Sequence, residues 1–190
     1  MLNCKSCSYF KSYFAVILAA AISVRFYPQY SSLITLLLLT GIPIVVFKKS
    51  PEELGLKEFK RGFLWGAFFS LLILPLFYLI APEKSPFQIS QAVSLIPYYL
   101  GIAVGEEVFF RGFFYSTFEN ESLFSFLTKN NLVSSTLFAV AHALVYYNPE
   151  MFKVFFPSLV MGFLFERSGS LLAPIIFHCL SDVVYHFARV

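Results

Sequence analysis

Long apolar runs, broken by short polar punctuation, recur along the whole chain. Seven segments stand out: Tyr13–Tyr27, Leu33–Phe47, Gly62–Ala81, Ala92–Phe118, Leu132–Tyr147, Phe152–Phe165 and Leu171–Phe187. Crossing the hydrocarbon of a bilayer takes about 20 residues of helix. By that measure the second and sixth segments are short, and the sixth fits a buried or tilted helix as well as a span. The fourth is long and contains Glu106, Glu107 and Arg111. Ser50-Pro51, Ala81-Pro82 and Ser85-Pro86 break helices before proline. Gly169 suits the end of the sixth segment, and Ser170 can cap the seventh. No linker, repeat or low-complexity tract interrupts the pattern. It predicts an all-α, polytopic transmembrane helix bundle of about seven helices, with residues 1–190 as one integral-membrane domain.

Composition supports this. Hydrophobic residues make up 58% of the 190 and charged residues 13%, about half the share of an ordinary soluble domain. A net charge of +3 with no basic stripe argues against nucleic-acid binding, and three cysteines cannot all pair with one another. Lys and Arg in short loops orient membrane helices. With the N-terminus inside, the inner segments hold nine basic residues (Lys5, Lys11, Lys48, Lys49, Lys57, Lys60, Arg61, Lys129, Arg167) and the outer ones four (Arg25, Lys84, Lys153, Arg189). The expected location is the cell membrane with a cytoplasmic N-terminus. The first segment follows a basic start but has no convincing small-residue cleavage site, so it is expected to be retained.

Ionisable residues at membrane depth are costly and point to function. Here they are few and grouped: Glu106, Glu107 and Arg111 on the fourth segment, His142 on the fifth, and His178, Asp182 and His186 on the seventh. Glu107 and Arg111, four apart, share a helical face and can pair. Glu106 points about 100° away and is less well neutralised. Such a carboxylate in an apolar bundle is a candidate general base. His178 and Asp182 also share a face. If the fourth, fifth and seventh segments converge, Glu106 and His142 can hold a water, while His178 and position 182 stabilise an oxyanion on the other side.

Other features carry less. Cys4 and Cys7 form a CxxC that lacks two further zinc ligands and reads as reduced thiols. Cys179 is expected to pack, and His186 to sit near the interface. Arg25, Tyr27 and Tyr30 suit an interfacial anchor. The Lys48–Arg61 stretch suits a surface that touches anionic lipid headgroups. Gly101 and Gly105 permit close helix packing or close approach of a substrate. The phenylalanine excess is expected mostly to face lipid.

Glu106-Glu107-Val108-Phe109-Phe110-Arg111 matches an EExxxR pattern, Phe138–His142 an FxxxH pattern, and His178–Asp182 an HxxxN pattern with Asp in place of Asn. In this order they resemble the CPBP intramembrane protease family. That family includes type II CAAX prenyl endopeptidases and bacteriocin-processing or self-immunity proteins. Gly162, Ser168–Ile175 and Glu53–Lys57 are similar too, so the resemblance runs from about residue 50 to 184. It implies a glutamate-dependent intramembrane endopeptidase without a cofactor. Glu106 would activate water, His142 would help hold it, Glu107 and Arg111 would position the site, and His178 and Asp182 would bind the oxyanion. Asp182 departs from the pattern, because an ionised carboxylate repels an oxyanion. Either it is neutral and donates, or it orients His178 from one turn away.

Alternatives follow from the same residues. Two histidines and nearby carboxylates can ligate zinc, but there is no HExxH, and His142 and His178 lie 36 positions apart. A non-catalytic self-immunity or membrane scaffold protein can share the bundle. A proton-relaying transporter is disfavoured by the lack of an internal repeat. The expected partners are membrane lipids and a peptide or membrane-protein substrate, lipidated or not.

Overall fold

The computed structural model describes residues 4–117 and 121–189. Among them are seven α-helices: α1 (Cys4–Phe26), α2 (Ser31–Gly41), α3 (Phe59–Ile80), α4 (Ile89–Glu107), α5 (Lys129–Val145), α6 (Phe155–Ser168) and α7 (Leu172–Phe187). Each overlaps one of the predicted segments. The chain is therefore an all-α membrane bundle. Two short strand pairs tie loops together: β1 (Glu83–Lys84) with β4 (Ala188–Arg189), and β2 (Ser122–Phe124) with β3 (Leu127–Thr128).

The boundaries differ from the apolar runs for identifiable reasons. α1 starts at Cys4, well before the apolar run, because Lys and Ser tolerate helix where it leaves the hydrocarbon. α5 starts at Lys129 because the Thr128 side chain caps it, accepting from the Asn131 amide. The second segment gains length from the 3₁₀ turn before α2 and a π turn over Ile42–Val46, so Pro28–Val46 forms one continuous helical stretch of 19 mostly apolar residues. α4 likewise continues as a π segment, Val108–Phe113, and then a 3₁₀ turn, Phe114–Thr117. The predicted end of that segment, Phe118, lies outside the described residues.

Among the described residues, four helices are long and apolar enough to cross a membrane: Cys7–Phe26, Pro28–Val46, Phe59–Ile80 and Ile89–Phe113. The sixth segment is short as expected, with 14 residues in α6. α5 and α7 are shorter than a standard span as well, at 17 and 16 residues. α7 is the most enclosed of these. It packs against α3, α4 and α6 and buries Ala173, Ile175, Phe177, His178, Cys179 and Val183.

α3 shows how the bundle sorts its faces. Gly62, Gly66, Ser70 and Leu74, spaced by four, are buried, while Phe63, Phe68, Leu71, Leu72 and Leu79 are exposed. A Cβ at Gly66 would sit 2.8 Å from the Ala173 carbonyl oxygen, so the small residues set the approach of α3 to α7. Gly105 packs on Leu36 of α2, whereas Gly101 has only Leu36 within 4.0 Å of an added Cβ. The phenylalanines divide between core and lipid-facing surface: Phe109, Phe110, Phe113, Phe114, Phe138 and Phe177 are buried, and Phe14, Phe63, Phe68 and Phe156 are exposed.

The loop after α2 braces the site from one end. The Gly55 carbonyl accepts from the Leu171 amide at 2.8 Å, and Leu54 is buried against Gly112. The Ser50 amide, with Lys49, holds the Glu53 carboxyl below the usual carboxylate range.

Candidate active site

Adjacent carboxylates on the last turn of α4 diverge because successive helical residues are about 100° apart. Glu107 points into the centre of the bundle, and both it and Arg111 are fully buried. Arg111 Nη1 donates to Glu107 Oε1 at 2.9 Å. Its Nη2 donates to the Ser158 carbonyl at 2.9 Å and to the Ser158 hydroxyl at 2.5 Å, and its guanidinium lies 4.9 Å from the Phe138 ring centroid. One arginine thus ties α4 to α5 and α6. Its charge is balanced by Glu107, as a buried cation requires.

His178 Nδ1 donates to the same Glu107 oxygen at 2.8 Å, bringing α7 to α4. His142, on α5, directs Nδ1 to the Phe138 carbonyl at 3.0 Å. A carbonyl only accepts, so Nδ1 carries a proton, and Nε2 is the ring atom that faces Glu106.

Glu106 Oε2 lies 3.7 Å from His142 Nε2 and 3.6 Å from His178 Nε2. It is buried without a hydrogen-bond partner, as are Glu107 Oε2 and Arg111 Nε. Asp182 Oδ2 lies 3.7 Å from His178 Nε2, beyond hydrogen-bond length. The ring of His178 is therefore oriented by Glu107 and not by Asp182. Glu106 and His142 also line a cavity of about 240 Å³ between α1, α2, α4 and α5, together with Tyr13, Leu36, Phe109 and Tyr146.

All six candidate residues from the sequence thus meet in one cluster. The remaining ones do not join it. His186 sits further along α7, 3.3 Å from Gln91 Nε2 and 3.4 Å from the Tyr99 hydroxyl. Cys179 is buried, with its Sγ 3.7 Å from the Ile96 carbonyl. Cys7 is exposed on α1, and the Cys4 side chain lies outside the described residues. Among the described residues, no three His, Cys, Asp or Glu side chains form a metal-binding group.

Sequence reasoning missed Ser158 and the role of Phe138. A lone serine inside the apolar run of α6 was the available signal for Ser158. Phe138 offers its carbonyl to His142 and its ring to Arg111, and its centroid lies 5.8 Å from that of His178. Gly162 also has a reason: a Cβ there would overlap the Asn131 side chain, which donates to the Leu159 carbonyl at 2.9 Å.

No curated protein and no solved structure matches the chain. A family model does, over residues 88–184, just over half of the chain. The matched region begins at the start of α4 and contains all three motifs, and α1–α3 lie outside it. With the carboxylate–histidine cluster assembled from that same region, the chain belongs to the type II CAAX prenyl endopeptidase Rce1-like family.

Proposed function

We propose that this protein is a glutamate-type intramembrane endopeptidase that hydrolyses a peptide bond in or beside the membrane. One observation carries the reading. Glu106 Oε2 is buried and unpaired, faces the Nε2 atoms of His142 and His178, and reaches a cavity. A water with its two O–H bonds directed to Glu106 and His142 would present a lone pair to a carbonyl carbon. Glu106 takes one proton as the oxygen attacks, and His178 Nε2–H donates to the oxyanion on the opposite side. As the C–N bond breaks, Glu106 returns the proton to the leaving amine. Glu107 and Arg111 hold His178 and α4 in register, and Asp182 supports the oxyanion side. The N-terminus lies in the cytoplasm. The substrate is a peptide or membrane-protein segment with an apolar or lipidated portion.

The test uses a farnesylated peptide ending in C-a-a-X as probe, with purified protein in proteoliposomes. Glu106→Ala and Glu106→Gln should each slow cleavage by at least about 100-fold. Thermal unfolding should stay near that of the parent, because Oε2 has no bond to lose. Undiminished cleavage by Glu106→Ala would sink the assignment. Cleavage should also persist in 1,10-phenanthroline. Its loss, restored by zinc, would favour the metal-dependent reading.

A further inference from the structure

His178 has acceptors at both ends of its ring. Nδ1 lies 2.8 Å from Glu107, and Nε2 lies 3.6 Å from Glu106 and 3.7 Å from Asp182. A neutral imidazole has one N–H, and Glu107 already takes it. Nε2 would then turn a lone pair toward two carboxylates and have no proton to offer an oxyanion. The doubly protonated ring removes both conflicts. It also improves the local balance, which otherwise sets three carboxylates against Arg111 alone.

Asp182 does not orient this ring, since Glu107 holds it and 3.7 Å is too long for a hydrogen bond. It stands instead beside the nitrogen that has to donate. We propose that Asp182 is a positioning residue that acts through charge: its carboxylate keeps His178 an imidazolium, so that Nε2–H is available to the oxyanion. The anion at 182 thereby strengthens the donor rather than competing with the oxyanion. This inference rests on the peptidase reading for the use of that proton, although the charge of His178 can be measured without a substrate.

The other charged and titratable groups around His178 are few. α4 contributes Glu106 and Glu107, with Arg111 reaching it through Glu107 and Tyr99 facing Asp182. α5 contributes His142, across Glu106, and Tyr146. α7 itself contributes Asp182 and the neighbouring Cys179. α6 contributes the uncharged Ser158 through Arg111.

The chain has three histidines, so protein labelled with ¹⁵N-histidine in nanodiscs gives a resolvable spectrum. His178 is assigned by its absence in His178→Gln. At neutral pH both ring nitrogens of His178 should resonate as protonated. In Asp182→Asn the ring should become neutral at least about one pH unit lower, the smallest effect expected of a charge at this range. Asp182→Glu, which keeps the charge, should restore the parent titration. The alkaline limb of cleavage of the farnesylated probe should move with it. A neutral His178 in the parent at pH 7 would overturn the proposal, as would an unchanged titration in Asp182→Asn. Cleavage by Glu106→Ala would instead overturn the peptidase reading and leave the histidine result standing.

Discussion

Glu106 and Glu107 differ by one position and have opposite surroundings. Glu107 accepts from a guanidinium and an imidazole, while Glu106 Oε2 has no hydrogen-bond partner and the residue borders the cavity. Two carboxylates held in unlike environments can divide structural and acid–base work. The structural half has a measurable cost. Arg111→Met would leave Glu107 buried with only His178 as a partner, and should destabilise the protein by about 3–5 kcal/mol. Arg111→Met combined with Glu107→Gln should recover part of that loss, because the uncompensated charge is gone. Denaturant unfolding in mixed micelles checks both. A loss below about 1 kcal/mol in the single variant would show that the pair contributes little.

At the scale of elements, the site depends on how closely α3, α4 and α7 approach. Gly66 meets the backbone of α7, which cannot swing aside as a flexible side chain can. Gly66→Ala should cost about 1–3 kcal/mol through overpacking. It should also slow cleavage, since displacing His178 by about 1 Å can cost on the order of 100-fold. Gly101→Ala is the control: an added Cβ has only Leu36 at 4.0 Å, and alanine favours helix by about 1 kcal/mol. Unfolding temperature and cleavage rate, measured together, separate the two. Equal behaviour of the two variants would contradict the close α3–α7 contact. The π segment that begins immediately after Glu107 belongs to this scale too. Such widenings are common at functional sites, and nothing in the residue pattern announced it, because π and α helices draw on the same side chains.

For the whole molecule, Arg61 of α3 and Arg167 of α6, two of the basic residues assigned to the inner side, lie against each other. Arg61 donates to the Arg167 carbonyl, and Arg167 to the Ser125 carbonyl, joining α3, α6 and the turn between β2 and β3. This arrangement suits the proposed cytoplasmic N-terminus. Cys7 is exposed near the start of α1, so with a cytoplasmic N-terminus a membrane-impermeant thiol reagent should label it in inside-out vesicles and not in intact cells. Labelling from outside would reverse the orientation.

The sequence by itself determined the class of fold and named the six residues that the structure brings into one cluster. Intramembrane charge is so disfavoured that the few ionisable residues at depth had to be grouped, and their spacings of four placed Glu107 with Arg111 and His178 with Asp182. Apolar runs located all seven helices, because burial and lipid both demand them. Those runs could not set helix ends or tell a spanning helix from a shorter one inside the bundle, since hydrophobicity looks alike in either setting. Only the tertiary structure decided that Glu107 and not Asp182 orients His178, that Ser158 completes the arginine site, and that Glu106 stands beside a cavity with a buried oxygen that no hydrogen bond satisfies. Those are contacts between different helices, set by close packing of small residues, and periodicity along one helix carries no record of its neighbour.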